Sequence, residues 1–211
     1  MPETTHLPVK LLLATTNPGK VREIRALMAG LSIELVTLAD VAAVEPPEET
    51  GATFGDNARL KARYYARATG WVVVAEDSGL EIDAMDGAPG IHSARYGGED
   101  STYADKFHLI AAALAKVPGR SRSARFVCAL AVADGDRLLF ESRGTVEGEI
   151  APEPRGNGGF GYDPIFYYPP FGCTLAEAGE RKAEVSHRAR AFRALKEWVM
   201  NGRFWVPGAG C

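Results

Sequence analysis

Cysteine is scarce in this chain of 211 residues, and the three present, Cys128, Cys173 and Cys211, lie far apart. An odd, scattered set without metal-ligand spacing speaks against a disulfide framework or a zinc site, and Cys128, inside an apolar run, reads as a small buried hydrophobe. Long hydrophobic runs are missing too. The longest, Phe126 to Ala133, covers eight residues, far below the roughly 20 that a membrane helix needs. One-sided charge is also absent. Lys plus Arg is 24 against 27 for Asp plus Glu, giving a net charge of −3. That balance excludes a chain built to coat nucleic acid or an anionic membrane, while leaving room for a local basic pocket. The opening MPETTHLPVK carries no apolar core of secretory length. A cytoplasmic protein without membrane or stable nucleic-acid partners is therefore expected.

What is present is an alternation of strand and helix signals. Val9 to Thr15 predicts a first strand, after which Val21, Ile24, Leu27 and Met28 repeat at helical spacing, with Asn17 as N-cap and Pro18 at the first helical position. A short strand is predicted near Ile33 to Leu38, and a helix over Phe54 to Thr69, where Thr53 and Asp56 resemble a capping box. WVVVAED predicts a buried strand ending on its acids. A third helix follows over Thr102 to Lys116, then two strands around an Asp134-Gly135 turn. GNGGFGYDPIFYY reads as a glycine loop entering a short strand, and a last helix starts after Ser186 and ends near Asn201. The expectation is α/β, a mixed twisted sheet flanked by helices. Residues 10–202 are read as one domain between short tails, 1–9 and 203–211, with Phe204 and Trp205 able to pack back on the body.

Three cations fall on apolar helix faces. At about 100° per residue, Lys20 shares a side with Val21, Ile24 and Leu27. Asn57 and Lys61, one turn apart, share a side with Phe54, Ala58 and Tyr65, and Arg188 lies amid Ala191, Phe192, Leu195 and Val199. A cation turned inward near a helix start opposes the macrodipole and loses solvation unless an anion meets it. Each could pair with a structural carboxylate, but three in one chain, two of them beside glycine-rich or capped helix starts, favour a phosphate pocket.

The more familiar phosphate motifs do not fit. TTNPGK has Ala14 where a Walker A loop begins with Gly, and Val21 where Ser or Thr would hold magnesium. Gly156-x-Gly158-x-x-Gly161 leads into a strand rather than a helix, so the dinucleotide fingerprint fails on context. Those glycines still permit close backbone approach to a flat ligand, with Phe160 and Tyr162 able to stack on it. Ser78, His92 and Asp77 lack the nucleophile elbow of a hydrolase triad. Glu48, Glu49, Glu76 and Asp77 offer oxygen ligands of the kind magnesium takes, and strand alternation sends Glu76 and Asp77 to opposite sides.

Taken together, TTNPGK (15–20), EETGATFGDNARLKA (48–62), EDSGLEIDAMDGAPGIHSARYGG (76–98), GGFGYDPIF (158–166) and SHRARA (186–191) resemble the inosine triphosphate pyrophosphatase family. The resemblance implies a Mg2+-dependent homodimer with an elongated, two-lobed α/β fold and a central cleft, hydrolysing ITP, dITP and XTP to the monophosphate and pyrophosphate. By that resemblance Thr15, Thr16, Asn17, Pro18, Gly19 and Lys20 would hold the triphosphate, with Lys61 on phosphate and Asn57 beside it in substrate binding. Glu49 and Asp77 would hold the metal, and Asp77 would also serve as general base. Ser78 would touch the nucleotide, while Phe160, Gly161, Tyr162 and Asp163, with Lys182, His187 and Arg188, would form the purine pocket. Ala189 departs from the Gly frequent after SHR in that family. The alternatives are a pyrophosphatase for modified pyrimidine nucleotides and a non-catalytic nucleotide- or RNA-binding module.

Overall fold

VKLLL forms strand β1 (Val9–Leu13), and Asn17 and Pro18 start helix α1 (Pro18–Leu27), in a computed structural model that describes residues 9–202. α1 carries the chain back to β2 (Ile33–Thr37), parallel to β1, and α2 (Phe54–Thr69) carries it to β3 (Val72–Ile82), parallel to β1 on its other edge. The remaining strands are antiparallel: β4 (Ser123–Asp134), β5 (Arg137–Ile150), β6 (Phe166–Tyr168) and β7 (Cys173–Thr174). Their spatial order is β2-β1-β3-β4-β5-β6-β7, one mixed sheet as expected. Helix α3 (Tyr103–Ala115), the short α4 (Lys182–Val185) and α5 (His187–Met200) complete the described chain. Because β2 and β3 lie on opposite sides of β1, the connections diverge at the carboxyl end of β1, where doubly wound sheets place their ligands.

Both faces of β3 and β4 are covered, which accounts for their nearly unbroken apolar character. On one face Leu12, Val73, Ala75 and Ala129 pack against Phe54, Ala58, Ala62 and Tyr65 of α2. On the other, Leu11, Leu13, Val74 and Leu130 meet Ile24 of α1 and Phe192 and Leu195 of α5. Farther along the same strands, Leu80, Ile82, Phe126 and Val146 form another core with Ile110 and Leu114 of α3 and with Phe166. Burying side chains of this size contributes about 1.5–3 kcal/mol each relative to leaving them exposed.

Two expectations need correction. β3 does not end on its acids; it runs five residues past Asp77, paired with β4 over its whole length. The tight turn is Gly135-Asp136, one residue later than expected, closed by the pair Asp134 and Arg137. Gly135 has φ +57°, and a two-residue turn with the glycine first matches the right-handed twist of the strands it joins. The capping box of Thr53 with Asp56 forms as read. Phe204, Trp205 and Cys211 lie outside the described residues.

Candidate active site

A cleft of about 1360 Å³ opens beyond the end of β1, and its wall includes Thr15, Thr16, Asn17, Pro18, Lys20, Glu49, Lys61, Glu76, Asp77 and Ser78. β3 continues past the point where β1 stops, so its two acids stand at mid-strand beside this opening. The preceding turn is fixed locally. Asn17 Oδ1 accepts from Gly19 N at 2.9 Å and Lys20 N at 3.1 Å, and Asn17 N donates to Thr15 Oγ1 at 3.2 Å. Gly19 itself is buried beneath Phe160, and a methyl there would stand 3.1 Å from the ring.

Asp77 faces α2. Its Oδ2 accepts from Asn57 Nδ2 at 3.1 Å, and its Oδ1 lies 3.2 Å from Lys61 Nζ. The same ammonium donates to Glu49 Oε1 at 2.7 Å, while Arg95 Nη1 approaches Glu49 Oε2 at 3.5 Å. Burial is the largest influence on Asp77 and holds its carboxyl above the usual aspartate value, with the Lys61 charge opposing it. Burial also acts to raise Glu49, but Lys61 and Arg95 together outweigh it, so Glu49 sits below its ordinary value. For Lys61, burial is outweighed by the two carboxylates, and the ammonium is held charged.

Glu76 points to the opposite face, as alternation requires. Its side chain is wholly buried, 2.9 Å from Lys20 Nζ and bonded to Arg188 through Nε at 3.2 Å and Nη2 at 3.1 Å. Burial would raise this carboxyl, but Arg188 and Lys20 prevail and keep it far below the ordinary glutamate range. Arg188 further donates to Glu23 Oε2 at 2.6 Å and Ser78 Oγ at 3.1 Å. Lys182 Nζ bonds Glu23 Oε1 and Asp163 Oδ2, both at 2.7 Å. Lys182 and Arg188 also approach the Phe160 ring, at 4.7 and 5.5 Å from its centroid. α5 can start this close because residue 144 of β5 is glycine: a Cβ there would collide with the His187 carbonyl.

The inward faces assigned to Lys20, Lys61 and Arg188 are correct, and each of these cations meets a carboxylate within the chain. Glu76 and Glu23 already neutralise Arg188, and Glu76 meets Lys20. Three further residues sit differently from their expected roles. Asn57 is fully buried with both ends of its amide engaged, beneath the cleft rather than on its wall. Tyr162 is buried, its hydroxyl donating to Ser93 O at 2.8 Å and its ring edge-on to Tyr103, so it packs the core instead of stacking on a ligand. His187 stacks on Phe126 with centroids 4.9 Å apart, and its Nδ1 has no hydrogen-bond partner among the described residues. Burial drives the imidazole well below its usual value, so it is neutral. Phe160, Asp163, Lys182, Arg188 and Ser78 do gather as expected. Sequence reasoning missed Glu23 and Arg95. Glu23 left a signal, standing one turn after the inward Lys20 on α1, whereas Arg95, at the end of a 3-10 turn (Gly90–Arg95), left none.

Glu49 and Asp77 suit magnesium by their chemistry. Both offer hard carboxylate oxygens that already share one cationic neighbour, Lys61. Two carboxylates fall short of an all-protein cage and match an ion that completes its shell with waters and phosphate oxygens.

Comparison with known proteins agrees with this geometry. The model of the Ham1 family matches residues 11–198. A dITP/XTP pyrophosphatase of Thermus thermophilus is 49% identical over 195 residues, covering 92% of this chain and 93% of that protein. A dITP/XTP pyrophosphatase of Shigella flexneri is 45% identical over 196 residues, covering 92% and 99%. Among solved structures, a HAM1 protein from Coxiella burnetii superposes with a TM-score of 0.86 at 38% identity, covering 92% of this chain and 99% of that one.

Proposed function

The chain belongs to the Ham1 family, and on that premise we propose that it is a hydrolase of nucleoside triphosphates, converting dITP, ITP and XTP to the monophosphate and pyrophosphate. The observation that carries the reading is the meeting of Asp77, Glu49 and Lys61 at the cleft wall, next to the turn that presents Lys20. Mg2+, held by Glu49 and Asp77, would supply charge neutralisation to the triphosphate when bound. Asp77 takes the proton from a water that attacks the α-phosphorus. The new phosphorus–oxygen bond forms as the α–β anhydride bond breaks, and pyrophosphate leaves with both electrons of that bond. Lys20, Lys61 and the polar turn from Thr15 to Gly19 meet the charge that grows on the leaving group.

The purine would lie against Phe160, with Ser78, Gly161 and Asp163 near it. Lys182 and Arg188, both close to that ring, carry N–H donors for a 6-keto oxygen. Adenine presents an amino group there and would leave a buried donor without a partner. Exclusion of GTP must instead act on its 2-amino group. Tyr162 and His187 would shape the pocket from behind through packing. The chain would act as a homodimer in the cytoplasm, removing deaminated purines before they enter nucleic acid.

The test is incubation with dITP, XTP, GTP and ATP plus magnesium, with chromatographic identification of products. Monophosphate and pyrophosphate from dITP and XTP, with little from ATP, are expected, and EDTA should stop the release. Stepwise loss of single phosphates, or equal turnover of all four, would refute the assignment.

A further inference from the structure

Helix α2 makes two separate links between the elements that carry the acidic groups. Lys61 spans Glu49 and Asp77 at the cleft wall. One turn earlier and wholly buried, Asn57 makes the other: Gly51 N donates to Asn57 Oδ1 at 2.8 Å, and Asn57 Nδ2 donates to Asp77 Oδ2 at 3.1 Å. Gly51 lies two residues after Glu49. It must be glycine for this approach, since a methyl there would stand 2.5 Å from Asn57 Oδ1 and 2.8 Å from Asn57 N. The amide thus joins the backbone of the Glu49 loop to one oxygen of Asp77, leaving the other oxygen toward Lys61.

Resting on the reading of Glu49 and Asp77 as metal ligands, we infer that Asn57 is a positioning residue that fixes the spacing of these two carboxylates, with Gly51 as its docking point on the loop. It touches no substrate. Its effect is to hold Asp77 in one rotamer and the loop at one height, so that a divalent ion finds both acids already in place.

The probe is Mn2+, titrated without nucleotide and followed by loss of the free-ion EPR signal. The variants are Asn57→Ala, Gly51→Ala and the double variant, each checked for folding by near-UV circular dichroism. Removing a residue that orients metal ligands commonly lowers metal affinity about 10–100-fold. A loss of that order is expected for each single variant, with kcat for dITP falling while KM stays within about threefold at saturating metal. Because both act through one contact, the double variant should be no worse than the poorer single one. Should Asn57→Ala fail to fold, Gly51→Ala decides alone. Wild-type-like Mn2+ affinity in a folded variant, or additive losses in the double, would overturn the inference. Wild-type conversion of dITP, run in parallel, separates this outcome from failure of the functional reading itself.

Discussion

Replacing Glu76 by Gln preserves shape and removes only charge, in a place where charge has nowhere else to go. The carboxylate is fully enclosed and is met by Lys20 Nζ, by Arg188 Nε and Nη2, and by Cys128 Sγ at 2.8 Å. A glutamine offers one acceptor and turns an NH2 toward a guanidinium or an ammonium. Arg188 then keeps Glu23 as its one charged partner, and Glu23 is shared with Lys182. Breaking a buried pair in this way costs about 3–5 kcal/mol. For a chain of this size, each kcal/mol lowers the melting temperature by roughly 2–4 °C, so a drop of roughly 6–20 °C is expected. Urea unfolding at several pH values carries the sharper test. Glu76 has a folded-state pKa lowered from 4.5, so its stabilisation is complete above about pH 4.5 and is lost as the pH falls toward the folded value. The gap between wild type and Glu76→Gln should be constant from pH 7.5 to about 5 and shrink in stronger acid. A gap below about 1 kcal/mol at pH 7.5, or one that widens in acid, would refute the reasoning.

Three other outcomes follow from the same geometry. Asp77→Asn should abolish turnover while leaving nucleotide binding measurable by calorimetry, and a near-normal rate would remove Asp77 from the role of base. Lys20→Ala and Lys61→Ala should raise KM for dITP and XTP without changing the preference over ATP, and a changed preference in a triphosphate panel would contradict the division of the site. The neutral, buried His187 has a pKa below 6.5, so wild-type stability should fall by up to about 1.4 kcal/mol per pH unit below pH 6.5. His187→Phe should flatten that slope in urea titrations.

Local signals were legible in the chain. Asn17 before Pro18, Thr53 with Asp56, and Ser186 before α5 each cap the helix they announced, because a cap depends on residues two or three positions apart. The inward faces of Lys20, Lys61 and Arg188 were legible for the same reason, through helical period alone. What escaped was set by distant partners. β3 runs through Glu76 and Asp77 because Arg188 from α5 and Lys61 from α2 make those acids bearable inside a sheet, and strand propensity carries no trace of either. The direction of Tyr162 was hidden likewise, since its hydroxyl partner is the Ser93 carbonyl, far away in sequence. The TTNPGK loop and the acids could be named from motifs, but the partners of Glu23, Lys182 and Arg188, are met only once α1 is brought against the C-terminal helices.

β3 is held by β1 only at Val73 and Val74, yet by β4 from end to end, and β4 in turn by β5. The cores at the two ends of these strands are thus threaded on the same uninterrupted ribbons, with no linker between them. Widening or narrowing the crevice therefore means twisting whole ribbons like a torsion spring, every ladder bond sharing the load, rather than swinging a door on a pin. Such a spring stores work in proportion to the square of its twist, which favours small excursions about one resting position of Asp77.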